Sequence, residues 1–174
     1  MCCDTKGRIA EAVEEMMRTK PVSKITIGSI MEQTQMKRQT FYYHYQDIYS
    51  VLEWIVECQL CAPLRYDETT DPEEWCHQAL ELLRAKQPLL RQLSPALGRE
   101  KLYQLTGGIL RPQLVRYLPI SEEQDPENYD MVLDMLCYAV FCTLDSLVAS
   151  RAPLNIEACA KYLKALFSTM QKAG

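Results

Sequence analysis

Apolar residues in this chain recur three and four positions apart along most of its length, and they do not alternate with polar ones as a half-buried strand requires. That spacing restricts the chain to helices packed on helices, an all-α class. Ile9, Ala12, Val13, Met16 and Met17 form the first such stripe, so a helix is expected over about 5–19, closed by Pro21. Thr26 has a side chain able to cap a second, short helix that carries Ile27, Ile30 and Met31. After Gln33-Thr34-Gln35, a third segment from Lys37 to Tyr43 places polar and basic residues on one side, with Met36, Thr40 and Phe41 left for packing. Asp47 can cap a fourth helix, whose Val51, Leu52, Ile55 and Val56 continue the stripe to about Pro63.

The polar stretch from Tyr66 to Asp71 is the best candidate boundary, dividing the chain into residues 1–65 and 66–174. Its end also starts a helix. Asp71-Pro72-Glu73-Glu74 supplies a capping carboxylate, a proline at the first helical position and two acids at the positive end of the helix dipole. The same device at Asp125-Pro126-Glu127 predicts a helix over about 126–150. Between them Pro88, Pro95, Pro112 and Pro119 are expected to divide the chain into helices of about two to four turns, because proline cannot donate to a helix interior. Apolar residues from Met131 to Val148 wrap most of the way round their helix, and Ile156, Ala160, Leu163, Phe167 and Met170 make a seam behind a cap at Asn155. Such a helix pair is a candidate dimer interface; burial inside the monomer is the competing account of the first helix.

With 174 residues, of which 48% are hydrophobic and 24% charged, the chain can bury a core and fits one domain or a small domain joined to a larger one. The longest apolar runs are broken by Asp134, Asp145, Ser150 and Arg151, so no membrane association is expected. The segment after Met1 lacks the apolar block of an export signal, and the eight Cys sit among helical apolar positions. Reduced thiols in a cytoplasm are the expectation. Cys58-x-x-Cys61 reads as two thiols on adjacent turns of one helix, with a redox or metal switch as the alternative; no second Cys pair or His cluster stands at zinc-finger spacing. No metal and no cofactor are expected.

The net charge of −4 looks wrong for a nucleic-acid binder until it is divided. Residues 1–50 hold seven Lys and Arg against six Asp and Glu, a net of +1, which leaves −5 for the remainder. A helix, a short turn and a third helix rich in Lys, Arg, Gln, Thr and Tyr have the form of a helix-turn-helix, whose second helix enters the major groove. Lys37 and Arg38 suit phosphates or guanine edges, Gln39 suits adenine, and Thr40 suits a base or the backbone. Tyr42, Tyr43 and His44 offer donors to phosphate while their rings are expected to pack against the supporting helix.

Residues 5–63 resemble the DNA-binding domain of the TetR family of transcriptional regulators. The resemblance rests on Thr40-Phe41-Tyr42-Tyr43-His44-Tyr45, the capping Thr26, Ile30, and the apolar start of the next helix at Val51 and Leu52. Phe41-Tyr42-Tyr43-His44 and Leu52-Glu53-Trp54-Ile55 are similar to the subgroup that regulates dihydroxyacetone-kinase operons. Three positions depart from the family pattern: Gln35 stands where a turn Gly is common, Lys37 where Ser is, and Gln39 where Gly is. A fourth, Ile48, stands where the family often has a Lys that binds phosphate, which leaves that role unfilled or taken by the Asp47 or Ile48 backbone N–H. The resemblance implies an N-terminal three-helix DNA-binding domain, a helical C-terminal domain for an effector and dimerisation, and a homodimer built on the last two helices. Its partner would be a roughly palindromic double-stranded DNA operator, with Thr26 and residues 37–40 and 42–44 at the interface. Control would come from a small-molecule effector or a protein co-regulator.

Tyr103, Gln104, Arg111, Tyr138 and Asp145 are candidate pocket residues, each with a structural role as the weightier alternative. Gly107-Gly108 inside a helical stretch fits close packing, a kink or room for a ligand. The only two His are His44 and His77, and no nucleophile–base spacing, phosphate loop or HExxH pattern is present, so the chain does not read as an enzyme. A helical interaction adaptor that has lost autonomous DNA binding is the alternative function.

Overall fold

The computed structural model describes residues 4–65, 70–116, 126–150 and 152–172, with side chains throughout those spans except at 4, 72, 162 and 166–172. Every regular element among them is helical: α1 (Asp4–Met17), α2 (Ile27–Thr34), α3 (Arg38–His44), α4 (Ile48–Val56), α5 (Pro72–Leu97), α6 (Arg99–Val115), α7 (Tyr129–Ala149) and α8 (Ile156–Lys172). The all-α expectation holds, and local chemistry starts α5 and α8 where it was read. Asp71 Oδ1 accepts from the Glu73 and Glu74 amides at 2.8 and 3.2 Å, and Asn155 Oδ1 accepts from Ala158 N–H at 3.0 Å.

Three of the prolines do not divide the chain as expected. Pro88 and Pro95 lie inside the 26-residue α5, and Pro112 lies inside α6. Pro88 and Pro95 are seven positions apart on one exposed face, so the carbonyls left without a donor turn toward water while Leu90 and Leu93 hold the opposite face in the core. Pro112 follows Gly108 by four residues, and an added Cβ at Gly108 would meet nothing within 4 Å. The break between α5 and α6 falls instead at Gly98, whose φ of 81° and ψ of 151° suit glycine. Pro119 and the Asp125 cap lie outside the described residues. Pro126 to Asn128 form a turn, so α7 starts at Tyr129, three residues later than the Asp-Pro-Glu signal suggested.

The fourth helical stretch runs to Leu64 in three geometries: α4, a π-helical turn over Glu57–Cys61 and a 3-10 turn over Ala62–Leu64. Pro63 cannot donate and its ring crowds the carbonyl four residues back, so the turn ahead of it widens. One apolar cluster continues across this junction. Val13, Ile30, Phe41 and Ile55 belong to it together with Leu90, Leu93, Leu102 and Phe141. Polar ties reinforce the contact: Gln59 bridges Glu14 and Lys86, Lys101 pairs with Glu53 at 3.0 Å, and Trp75 Nε1 donates to Leu64 O at 3.0 Å.

Among the described residues α7 is the one helix long and apolar enough to cross a membrane, with a mean hydropathy of 1.7 over its most apolar window. Its buried residues Leu133, Cys137, Phe141 and Val148 face α5 and α6, and its buried Asp145 accepts from Ser94 Oγ at 2.7 Å and Arg99 Nε at 2.9 Å. Met131, Met135 and Tyr138 are 55%, 65% and 45% exposed on another side. The seam of α8 is used differently: Ile156, Ala160 and Leu163 pack with Leu80 and Leu154 of the same chain. Phe167 and Met170 lie outside the described side chains.

Candidate nucleic-acid interface and effector cavity

The first helix of the helix-turn-helix, α2, is closed at both of its ends. Thr26 Oγ1 accepts from Ser29 N–H at 3.1 Å while Ser29 Oγ accepts from Thr26 N–H at 3.2 Å, so two amides at the start of α2 are satisfied reciprocally. Gln35 closes α2 in the left-handed region, φ 56° and ψ 31°, and Met36 N–H donates back to Met31 C=O at 3.2 Å. The turn therefore keeps, with a Cβ present, the geometry for which glycine is the usual residue. Lys37 then leads into α3 in an extended conformation.

Phe41, fully buried, and Tyr45, 4% exposed, pin the inner edge of α3. Tyr45 Oη donates to the Lys6 carbonyl at 3.0 Å, and its ring meets Trp54 edge-on at 6.4 Å, tying α3 to α1 and α4. Lys37, Arg38, Gln39, Tyr42 and Tyr43 are exposed, whereas Thr40 and His44 are half-buried. The pairs 38/42 and 39/43 lie one turn apart, which gathers four of these side chains on one outward face. Arg38 lies 5.9 Å from the Tyr42 ring centroid, with Nη2 3.5 Å from the phenol oxygen.

The tyrosine rings depart from expectation. Tyr43 is 85% exposed and, among the described residues, its one ring contact is edge-to-face with His44 at 4.9 Å, while Tyr42 meets Phe41 at 5.6 Å. The supporting helices are already filled by Phe41 and Tyr45, so Tyr43 points to solvent. Asp47 caps α4 through Ser50 N–H at 2.8 Å, and its own N–H is engaged by Ser50 Oγ at 3.2 Å. The Asp47 amide is therefore occupied within the chain, which removes one of the two backbone donors expected to stand in for a lysine side chain. Tyr49, off the apolar stripe in the first turn of α4, is 54% exposed.

Cys61 is buried and its Sγ lies 3.4 Å from the Leu105 carbonyl, in donating geometry. Burial, followed by the neighbouring Glu57 carboxylate, pushes its thiol up to about 12, so at neutral pH it stays protonated and unreactive. That supports the structural reading of the Cys58/Cys61 pair.

A cavity of about 130 Å³ lies among α5, α6, α7 and the turns that follow α4. Its walls are aliphatic and aromatic, including Leu60, Leu64, Leu80, Leu102 and Phe141. Of the five pocket candidates only Asp145 lines it. Gln104 is exposed, Arg111 pairs with Asp130 and Asp134, and Tyr103 and Tyr138 stack on each other edge-on at 5.1 Å. At Gly107 an added Cβ would sit 3.4 Å from the Tyr103 ring, one turn earlier on the same helix, so close packing of helices is not what the glycine serves. Gln113, 3% exposed, also lines the cavity and was not singled out in the sequence, where one Gln beside Pro112 carries no distinguishing pattern.

A three-helix helix-turn-helix unit followed by a helical domain is the architecture of TetR-type transcriptional regulators, and the fold of this chain matches solved members of that class. It superposes on a TetR transcriptional regulator from Streptococcus agalactiae 2603V with a TM-score of 0.70 and 20% identity, covering 95% of this chain and 93% of that one. The dihydroxyacetone kinase operon activator DhaS gives a TM-score of 0.67 at 18% identity, over 98% of this chain and 97% of the other. In sequence, 80 residues are 30% identical to the HTH-type dhaKLM operon transcriptional activator DhaS of Lactococcus lactis subsp. lactis (strain IL1403). That match spans 46% of this chain and 42% of the relative. No family model matches the sequence. The named proteins are transcriptional regulators, not enzymes.

Proposed function

We propose that this chain is a sequence-specific DNA-binding transcriptional regulator, acting in the cytoplasm as a homodimer on a roughly palindromic operator. Residues 1–65 form its DNA-binding domain and residues 66–174 its effector-binding and dimerisation domain. The observation that carries this reading is the outward face of α3, where Arg38, Gln39, Tyr42 and Tyr43 stand exposed on a helix anchored by a buried Phe41. On such a helix Lys37 and Arg38 reach phosphates or guanine, Gln39 reads adenine, and Thr40 contacts a base or the backbone. Tyr42, Tyr43 and His44 donate to phosphates, and Thr26 sits at the start of α2, where amides and the helix dipole favour an anion. Two copies joined through the last two helices, with the exposed Met131, Met135 and Tyr138 of α7 at the contact, would present α3 to half-sites about 34 Å apart or more. A small molecule or a partner protein at the C-terminal domain would favour one spacing of the two α3 helices over another.

The test is selection of binding sites from random duplex DNA with the purified chain, beside a Lys37→Ala/Tyr42→Ala variant. A two-fold symmetric sequence enriched by the parent and absent with the variant, with affinity falling steeply as salt rises, is the expected result. Absence of enrichment at low salt would instead favour the interaction adaptor.

A further inference from the structure

We propose that the cavity among α5, α6 and α7 binds small, uncharged, largely apolar molecules that present a donor and an acceptor together, as a primary carboxamide does, to the side chain of Gln113. The inference rests on the reading of this chain as an effector-controlled regulator and specifies the chemistry of the effector. Size is the first constraint. At about 130 Å³ the space is close to the roughly 150 Å³ apolar cavity that accommodates benzene in another protein, so an occupant has about six to ten non-hydrogen atoms.

Polarity is the second constraint. The wall is apolar almost throughout, and its polar side chains other than Gln113 for which contacts are described are committed to protein partners. Thr106 Oγ1 donates to the Leu102 carbonyl at 2.9 Å, Trp75 Nε1 donates to the Leu64 carbonyl, and Ser94 donates to Asp145. Gln113 differs: both Nε2 and Oε1 are buried without a hydrogen-bond partner. A buried amide left in that state is costly, and once the side chain turns its amide, closed off in this structure, into the cavity, a ligand that accepts from Nε2 and donates to Oε1 removes the cost.

Charge is the third. Among the described residues Asp145 is the one formally charged residue in the wall, and Arg99 and Ser94 already engage its two oxygens. An anionic head would meet a carboxylate with no wall cation to offset it, so the head group must be neutral. Leu60 and Leu64 belong to the π and 3-10 turns continuing from α4, so an occupant touches the segment that joins the cavity to the helix-turn-helix.

The experiment is isothermal titration, with ligand-detected NMR, of the full chain without DNA against benzamide, ethylbenzene and benzoate. The parent is expected to bind benzamide at least tenfold more tightly than benzoate. In Gln113→Leu the affinity ratio of benzamide to ethylbenzene should fall at least tenfold, and Leu144→Trp, which fills the cavity, should abolish binding of both. The proposal is overturned if the parent binds neither neutral probe, if Gln113→Leu leaves the ratio unchanged, or if binding survives Leu144→Trp. Probe binding without operator selection would sink the regulator reading alone; operator selection without probe binding would sink this one alone.

Discussion

At Gln35 a residue with a Cβ holds a φ of 56°, a conformation that crowds the side chain against its own backbone. Gln35→Gly is therefore expected to raise stability by about 0.5–1 kcal/mol, the steric relief being partly offset by the extra freedom of glycine in the unfolded chain. Gly98 is the opposite case. No atom lies within 4 Å of a Cβ built there, so Gly98→Ala costs only backbone strain, about 1–3 kcal/mol. Urea denaturation of the two variants checks both signs. Gln113 makes a third residue-scale case: replacing its unpartnered buried amide by an apolar group of similar size, Gln113→Leu, should stabilise the chain by about 1–3 kcal/mol in the same assay. The left-handed turn was legible as an anomaly, because Gln stands where glycine is common. Gln113 was not, because nothing within a few residues of it says that α5 and α7 will close over it.

The seven residues of α3 are too few to hold a helix by themselves, so its shape depends on what its inner edge buries. Phe41→Ala should cost about 3–5 kcal/mol by emptying a fully buried site. Tyr43→Ala removes a ring that is 85% exposed, and it should leave stability within about 0.5 kcal/mol while weakening operator binding. Thermal unfolding and a fluorescence-anisotropy titration on the selected operator separate the two effects. A Tyr43→Ala variant with undiminished DNA affinity would remove this side chain from the proposed interface. The inward Phe41 was readable from spacing; the outward Tyr43 was not, since tyrosine serves core, rim and surface alike.

The molecule as a whole divides its charge and its apolar surface unequally. The acidic excess belongs to residues beyond 50, and the largest exposed apolar side chains outside the helix-turn-helix include Met131, Met135 and Tyr138 on one side of α7. Three such side chains in register on a helix whose other side packs against α5 and α6 are the surface a second copy would cover. Sedimentation at micromolar concentration should find the parent as a dimer and Met135→Asp as a folded monomer. A parent that sediments as a monomer would refute the homodimer. The shared core across position 65 adds a further constraint, because displacing α5 or α6 also disturbs the packing beneath α1 and α4.

The features set by local chemistry lie within a few residues of one another: the caps at Thr26, Asp47, Asp71 and Asn155, the apolar stripes, and a polar recognition segment between two of those caps. Each is a contact between neighbours, and its energy is nearly independent of the rest of the chain. Long-range packing is what carries α5 through two prolines, seats the seam of α8 on Leu80, and opens a cavity beside Gln113. Those outcomes depend on groups tens of residues apart competing for the same buried volume. A proline whose helix is held by a packed opposite face gives up one hydrogen bond and keeps its turn, and no local pattern reports the packing that makes this possible.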